Sequence, residues 1–373
     1  MTPSTDGLAK RAVVAFVSAL LVVTAGATPA FARPATVDCG DTITATTVLH
    51  QDVGPCPGNG VIVGADRVVL NLNGFRIFGS EGPVDGIGVH VLGRSGVKVM
   101  NGTVSDFEIG VAIEGGQGNT VQRIVAENNH GQSGTSRGGD GIAILSSSGN
   151  RINRNVTRDN GPFSGIGIYS RVDGDHSRAT SGPSTDNVVE RNEVVGNVRS
   201  RSGAPEKTDN DGIRMENGGE RNQILRNVVR DNGLDGIAVF ADNFDHVIQG
   251  NTVSGNGFFR ETARRGSGII VFNRSKRITV EDNTVTGNAD NGISIRGPLP
   301  FGGGIPGALD NVIRGNTATG NAALPTLTSP VFGPAFDLHD GNPDCDNNDW
   351  FANTYSTASQ ECVTAGGKQV PTP

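Results

Sequence analysis

An all-β chain wound as a parallel β-helix is what three features of this sequence predict. It is rich in Gly and Asn, it repeats a glycine-led apolar phrase with a base period of 24 residues, and regularly spaced asparagines lie between the copies. Of 373 residues, 55 are Gly and only 15 Phe, 2 Tyr and 1 Trp are aromatic, a balance that disfavours one compact core. The hydrophobic share of 35% is too high for a disordered chain, and it is mostly Val, Ile and Ala, which suit short strands between many turns. A formal charge of −7 and a pI near 5.4 argue against nucleic acid or an anionic membrane as the main partner, because both favour clustered Lys and Arg.

The first 32 residues read as a signal peptide. Lys10 and Arg11 precede an apolar run from Ala12 to Ala27, and Ala30-Phe31-Ala32 supplies a small-x-small cleavage site. A secreted, extracellular chain beginning near Arg33 is expected, with no membrane span after cleavage. Export makes disulfides admissible for the four cysteines. Cys39 and Cys56 are 17 residues apart, as are Cys345 and Cys362. Three connectivities are open, and a local pair stapling each end is the economical one if the ends are far apart. No CxxC, HxH or HExxH pattern points to a dedicated metal site.

The glycine-led phrase runs through Gly60-Val61-Ile62-Val63, Gly86-Ile87-Gly88-Val89, Gly110-Val111-Ala112-Ile113, Gly141-Ile142-Ala143-Ile144 and Gly165-Ile166-Gly167-Ile168. It continues through Gly212-Ile213-Arg214-Met215, Gly236-Ile237-Ala238-Val239, Gly268-Ile269-Ile270-Val271 and Gly292-Ile293-Ser294-Ile295, with a degenerate copy at Ala335-Phe336-Asp337-Leu338. A 24-residue turn of short strands cannot bury its apolar face alone but can by stacking on its neighbours, so about ten coils are expected. Leucine-rich repeats are excluded by the scarcity of Leu. Asn192, Asn227, Asn251, Asn283 and Asn316 share one repeat position and should stack as an internal amide ladder. The expected organisation is a cap over 33–59, a β-helix over 60–340, a second cap over 341–362 and a disordered tail over 363–373.

Gly-Ile-x-Ile followed by Asn-x-Val-x-x-Asn resembles the right-handed parallel β-helix repeats of the pectin lyase-like superfamily, which includes polysaccharide lyases, epimerases and the copper-associated NosD proteins. The resemblance covers about residues 57–340 and implies a right-handed, single-stranded β-helix. Its catalytic motifs are largely missing. Arg296-Gly297-Pro298 starts like the pectate lyase Arg-x-Pro-x-x-Arg but has Phe301 in place of the second Arg. Asp337-Leu338-His339-Asp340 echoes the Asp-Pro-His-Asp of alginate epimerases with Leu for Pro, and beside the terminal cap it reads as structural.

Period-2 alternation places two rows of side chains on the outer face of the glycine-led strands. The first row should be Ile62, Gly88, Ala112, Ala143, Gly167, Arg214, Ala238, Ile270, Ser294 and Asp337. The second should be Gly64, His90, Glu114, Leu145, Tyr169, Glu216, Phe240, Phe272, Arg296 and His339. Insertions at about 131–139, 170–186, 198–211, 257–267, 296–310 and 322–334 flank this face as two walls. Tyr169, Phe240, Phe272, Arg296 and Asp211 are the candidate substrate-binding residues, with aromatic rings to stack on sugars. Uronate lyases and epimerases must neutralise a sugar carboxylate and abstract the adjacent proton. Arg214 or a bound Ca²⁺ would do the first, and Glu216 or His176 the second. Asp140, Asp211 and Asp235 precede the repeat glycines and read as turn residues. Three functions compete: a monomeric binder of polysaccharide or cell-surface glycan, a lyase, epimerase or hydrolase, and a NosD-like metal accessory protein.

Overall fold

In a computed structural model the described residues are 36–80, 86–131, 138–170, 182–198, 210–240, 242–258, 266–299, 304–323 and 334–372. They form a parallel β-helix with three sheets. The glycine-led strands make an eleven-stranded parallel sheet, from Asp41–Ile43 through Val61–Val63, Ile87–Leu92 and Ile109–Glu114 to Ile293–Ile295 and Leu338–Asp340. The asparagine phrases supply the other two. In one coil Gln223–Leu225 belongs to the second sheet and Val228–Arg230 to the third, each paired in parallel with the coils before and after. Lys98–Ser105 and Thr120–Glu127 run continuously through both sheets. Alternate residues of these strands point inward, so Ile213, Met215, Ile224, Val229, Ile237 and Val239 join one continuous buried core.

The eleventh strand arises because the expected N-terminal cap is itself a coil. Asp41–Ile43 pairs with Val61–Val63, Thr47–Val48 with the second sheet, and Val53–Cys56 with the third. Disulfides join Cys39 to Cys56 and Cys345 to Cys362, one at each end as expected. The tail expected to be disordered is instead structured. Glu361–Thr364 is a short 3-10 turn that buries Val363, and Lys368–Gln369 adds a last strand beside Thr354–Tyr355. The stretch expected to be a signal peptide lies outside the described residues.

The register differs from expectation in two coils, by two residues each. Ile62 pairs with His90, and Ser294 with His339. His90 and His339 therefore belong to the first outer row, displacing Gly88 and Asp337, while Leu92 and Gly341 continue the second. The physical reason is local crowding. A side chain at Gly88 would strike Val104 and Phe107, so Gly88, not Gly86, is the glycine of that coil.

The amide ladder is borne out, and there are three of them. The predicted ladder extends to seven rungs, Asn155, Asn192, Asn227, Asn251, Asn283, Asn316 and Asn353, at the corner between the second and third sheets. Asn227 illustrates how each rung is saturated. Its backbone N–H and Nδ2 donate to Asn251 Oδ1 at 2.9 and 3.0 Å, and Nδ2 also donates to the Val189 carbonyl at 3.0 Å. Its own Oδ1 accepts from the backbone and side chain of Asn192. A second ladder runs from Asn129 through Asn160, Asn197, Asn232, Asn256, Asn288 and Asn321 to Asp337.

A third ladder contains Asn119, Asn150, Asn187 and Asn222, and there His246 takes the next rung. The Asn222 backbone N–H donates to His246 Nδ1 at 3.1 Å, while Nε2 lies 3.0 Å from Asn243 Oδ1, which fixes a neutral tautomer. Burial holds the His246 pKa down at about 3. Asn243 is buried beneath this rung.

Asn227→Ala should strand the Asn192 donors and the Val189 carbonyl, lowering stability by roughly 1–3 kcal/mol, whereas Gln223→Ala on the exposed side of the neighbouring strand should change little. Denaturant melts of the two variants check this. Acid should also destabilise the chain through His246. Its pKa is lower folded than unfolded, so the contribution of the neutral ring is complete above about pH 6.5 and is lost as the pH falls toward 3. Asp290 and Asp340, whose carboxyl pKa values burial raises, act in the opposite sense. Relative to the wild type, His246→Asn should lose less stability between pH 7 and 5 in thermal melts.

Candidate functional site

The outer face of the first sheet divides into a buried half and a half-exposed strip. In the buried half, Ile87, Ile109, Ala112, Ala143, Leu145 and Tyr169 form a second apolar cluster separate from the core. His90 Nε2 meets Glu114 Oε2 at 2.8 Å beside it. Tyr169, expected to floor the groove, is 0% exposed. Its ring lies down over Gly167, where any side chain would collide with ring atoms, and its hydroxyl donates to Asp140 Oδ1 at 2.7 Å. Ser164 Oγ donates to the same oxygen at 2.5 Å. Burial first, then the Asp140 carboxylate, push the Tyr169 hydroxyl well above the ordinary tyrosine range. This tyrosine is packing, and Asp140 is its hydrogen-bond acceptor.

The strip begins on the next coil. Arg214 is only 4% exposed. Its Nη1 bonds Asp211 Oδ2 and its Nε bonds Glu216 Oε2, both at 2.9 Å. Asp211 is fully buried and its other oxygen accepts the Asp235 N–H, so the expected substrate-binding role is replaced by bracing of Arg214 and the turn. Asp235 in turn accepts the Ser267 N–H, in keeping with turn chemistry. The Arg214 guanidinium lies 3.8 Å above the Phe240 ring. Phe240 and Phe272 stack with centroids 4.5 Å apart and planes 11° from parallel, and the Arg296 guanidinium lies 5.9 Å from the Phe272 centroid. Arg214, Phe240, Phe272 and Arg296 thus form one stack over four consecutive coils. Its ring faces are occupied, so the Phe faces expected to be open for stacking on sugars are covered. Glu216, Phe240, Phe272 and Arg296 are half-buried.

Beyond Arg296 the strip ends on groups that sequence reasoning did not bring together. Ser294 Oγ lies 3.1 Å from His339 Nδ1, and Phe336 stacks on His339 at 6.2 Å. Burial, then the nearby Arg296 charge, hold the His339 pKa at about 4. The two-residue register slip concealed this neighbourhood. Of Asp337-Leu338-His339-Asp340, only His339 faces outward. Asp337 ends an asparagine ladder and accepts from Ser356 and Thr357. Asp340 accepts from Asn342, Asn348 and Trp350 Nε1. Both carboxylates are structural.

His176 and most of the flanking insertions lie outside the described residues. Among the described residues, no three His, Cys, Asp or Glu side chains gather as a metal-ligand set.

Comparison with solved structures finds the same architecture. The Dettilon tailspike protein superposes with a TM-score of 0.51 at 16% identity over 85% of this chain, which spans about half of the tailspike, 54%. The A-module of a mannuronan C-5 epimerase from Azotobacter vinelandii gives 0.52 at 16% identity, covering 90% of each chain. A pectate lyase gives 0.50 at 14% identity, covering 82% of this chain and 71% of the other. At these identities the likeness is one of fold. No curated protein sequence matches the chain. The family profile for the right-handed β-helix region matches residues 42–297 and 206–368, nearly all of the coiled region. The chain belongs to the right-handed β-helix family.

Proposed function

We propose that this is a secreted protein that binds polysaccharide along the outer face of the first sheet. The observation that carries the reading is the half-exposed strip of Glu216, Phe240, Phe272 and Arg296 on four consecutive coils. A carboxylate and a guanidinium at the ends of an apolar ridge suit a sugar chain, whose C–H surface packs on ring edges while its hydroxyls bond the charged groups. Names of the structural neighbours, for mannuronan and pectate, agree with this ligand class. Two disulfides fit an oxidising compartment. Binding without turnover is favoured because Arg214, the cation a lyase or epimerase would need, is compensated by Asp211 and Glu216.

Phe272→Ala should remove an edge of the ridge and weaken binding of the recognised glycan by about 1–2 kcal/mol in calorimetric titrations, with the fold retained. Tyr169→Phe should leave affinity unchanged and lower stability by roughly 1–3 kcal/mol, because Asp140 loses a buried donor. Formation of an unsaturated uronate end by the wild type, read as ultraviolet absorbance, would replace the binding reading with a lyase.

A further inference from the structure

The three corners of the helix carry different charges. The residue before each asparagine rung, and before His246, has positive φ, a conformation in which Gly, Asn and Asp sit more easily than other residues. At the corner after the third sheet these residues are Asp106, Asn128, Asp159, Gly196, Asp231, Gly255, Gly287 and Gly320. At the corner before the second sheet, arginines alternate with acids and pair with them, Arg221 with Asp186 at 2.8 Å and Arg277 with Asp245 at 2.6 Å.

The corner between the second and third sheets is different. Arg123, Arg154, Arg191 and Arg226 occupy it on four consecutive coils, all exposed, with φ of 51, 55, 53 and 53°. Strand pairing on either side sets them in register, since Gln122 pairs with Asn153 and Val125 with Val156, then Asn153 with Glu190 and Val156 with Glu193, then Glu190 with Leu225 and Glu193 with Val228. Three steps of ~4.8 Å make a row about 14 Å long.

The fold does not demand arginine here, because Asn101, Gly250, Asp282 and Gly315 hold the same corner on other coils with φ of 61, 66, 55 and 65°. Nor are most of the charges cancelled. Arg123 donates to Asn101 at 2.7 Å, and Arg154 and Arg191 make no ion pair among the described residues. Only Arg226 of the four has an ion pair among the described residues, with Glu190, which is buried and shared with Arg151. Glu127 and Glu193, on the adjoining strands, are taken by Arg158 and Arg230. Four like charges at one-coil spacing, in a conformation unfavourable for Arg and on a chain of net charge −7, call for a polyanion.

We propose that the row of Arg123, Arg154, Arg191 and Arg226 is a second binding site, for a linear acidic polysaccharide with a carboxylate or sulfate on each sugar. The row is one guanidinium wide and has the repeat of an extended chain. Its flanks carry the acids of the third-sheet face and no aromatic ladder, which disfavours a duplex or stacked bases as occupant. This site is distinct from the strip on the first sheet and stands independently of it.

The test is a titration of the purified protein with polygalacturonate, with a neutral glucan as control, at two salt concentrations. The wild type should bind polygalacturonate, more weakly at high salt, and ignore the glucan. Arg154→Gly with Arg191→Gly, which suits the positive φ, should weaken binding by about tenfold or more at low salt and flatten the salt dependence. Arg221→Asn, at the corner where arginines are paired with acids, should leave this binding intact. If the glycine pair lowers the melting temperature, Arg154→Asn with Arg191→Asn carries the same test in a residue the corner already accepts. Unchanged binding in the folded pair, or an equal loss in Arg221→Asn, would overturn the proposal. So would tighter binding of single-stranded oligothymidine than of polygalacturonate, lost in the same pair.

Discussion

Saturation of buried amides at the corners is the constraint on which the rest of this structure depends. A coil that turns three times in about two dozen residues brings polar backbone inside, and those groups must find partners or weaken the fold. Asparagine solves the problem because one side chain offers two donors and an acceptor, which lets each rung serve the coil on either side. From Asn150 onward the ladder positions of each coil fall five residues apart, as in Asn150, Asn155 and Asn160 or Asn222, Asn227 and Asn232. No insertion interrupts these intervals. All length variation is forced to the two flanks of the first sheet, so the face with freedom to acquire loops is the one that carries the strip.

The same constraint explains where carboxylates stand at the C-terminal end. A ladder needs a terminator that accepts without asking for a further acceptor, and Asp337 and Asp340 meet that need by gathering amide, hydroxyl and indole donors from the last turn. A tetrapeptide that looks like chemistry is thereby spent on closing the solenoid. On the outer face, the division between buried and half-exposed halves turns on one small residue. Gly167 lets the Tyr169 ring fold down onto the sheet. One coil later Arg214 stands in that row, so the following side chains rise into a stack of guanidinium and aromatic rings.

The solenoid, the disulfide ends and the Asn192 to Asn316 ladder were legible in the sequence because each rests on spacing alone. His90 and His339 were misplaced because the glycine phrase slips by two residues where Gly88 and Asp337 take the glycine's place, and periodicity carries no record of that crowding. The burial of Tyr169 was not legible either. Row order brings Tyr169, Phe240 and Phe272 onto one face, but whether a ring lies flat or stands depends on the partner at the next position. The five-residue interval from His246 to Asn251 did carry a signal, since a histidine there sits where an asparagine belongs.

Native-state hydrogen exchange, resolved by residue, tests the ladder account most directly. It predicts that the backbone amides of Asn192, Asn227, Asn251 and Asn283, each donating to the next rung, exchange among the slowest in the chain and at similar rates, as one cooperative unit. Exchange of these amides as fast as that of exposed turn residues, with protection confined to the apolar strands, would contradict it.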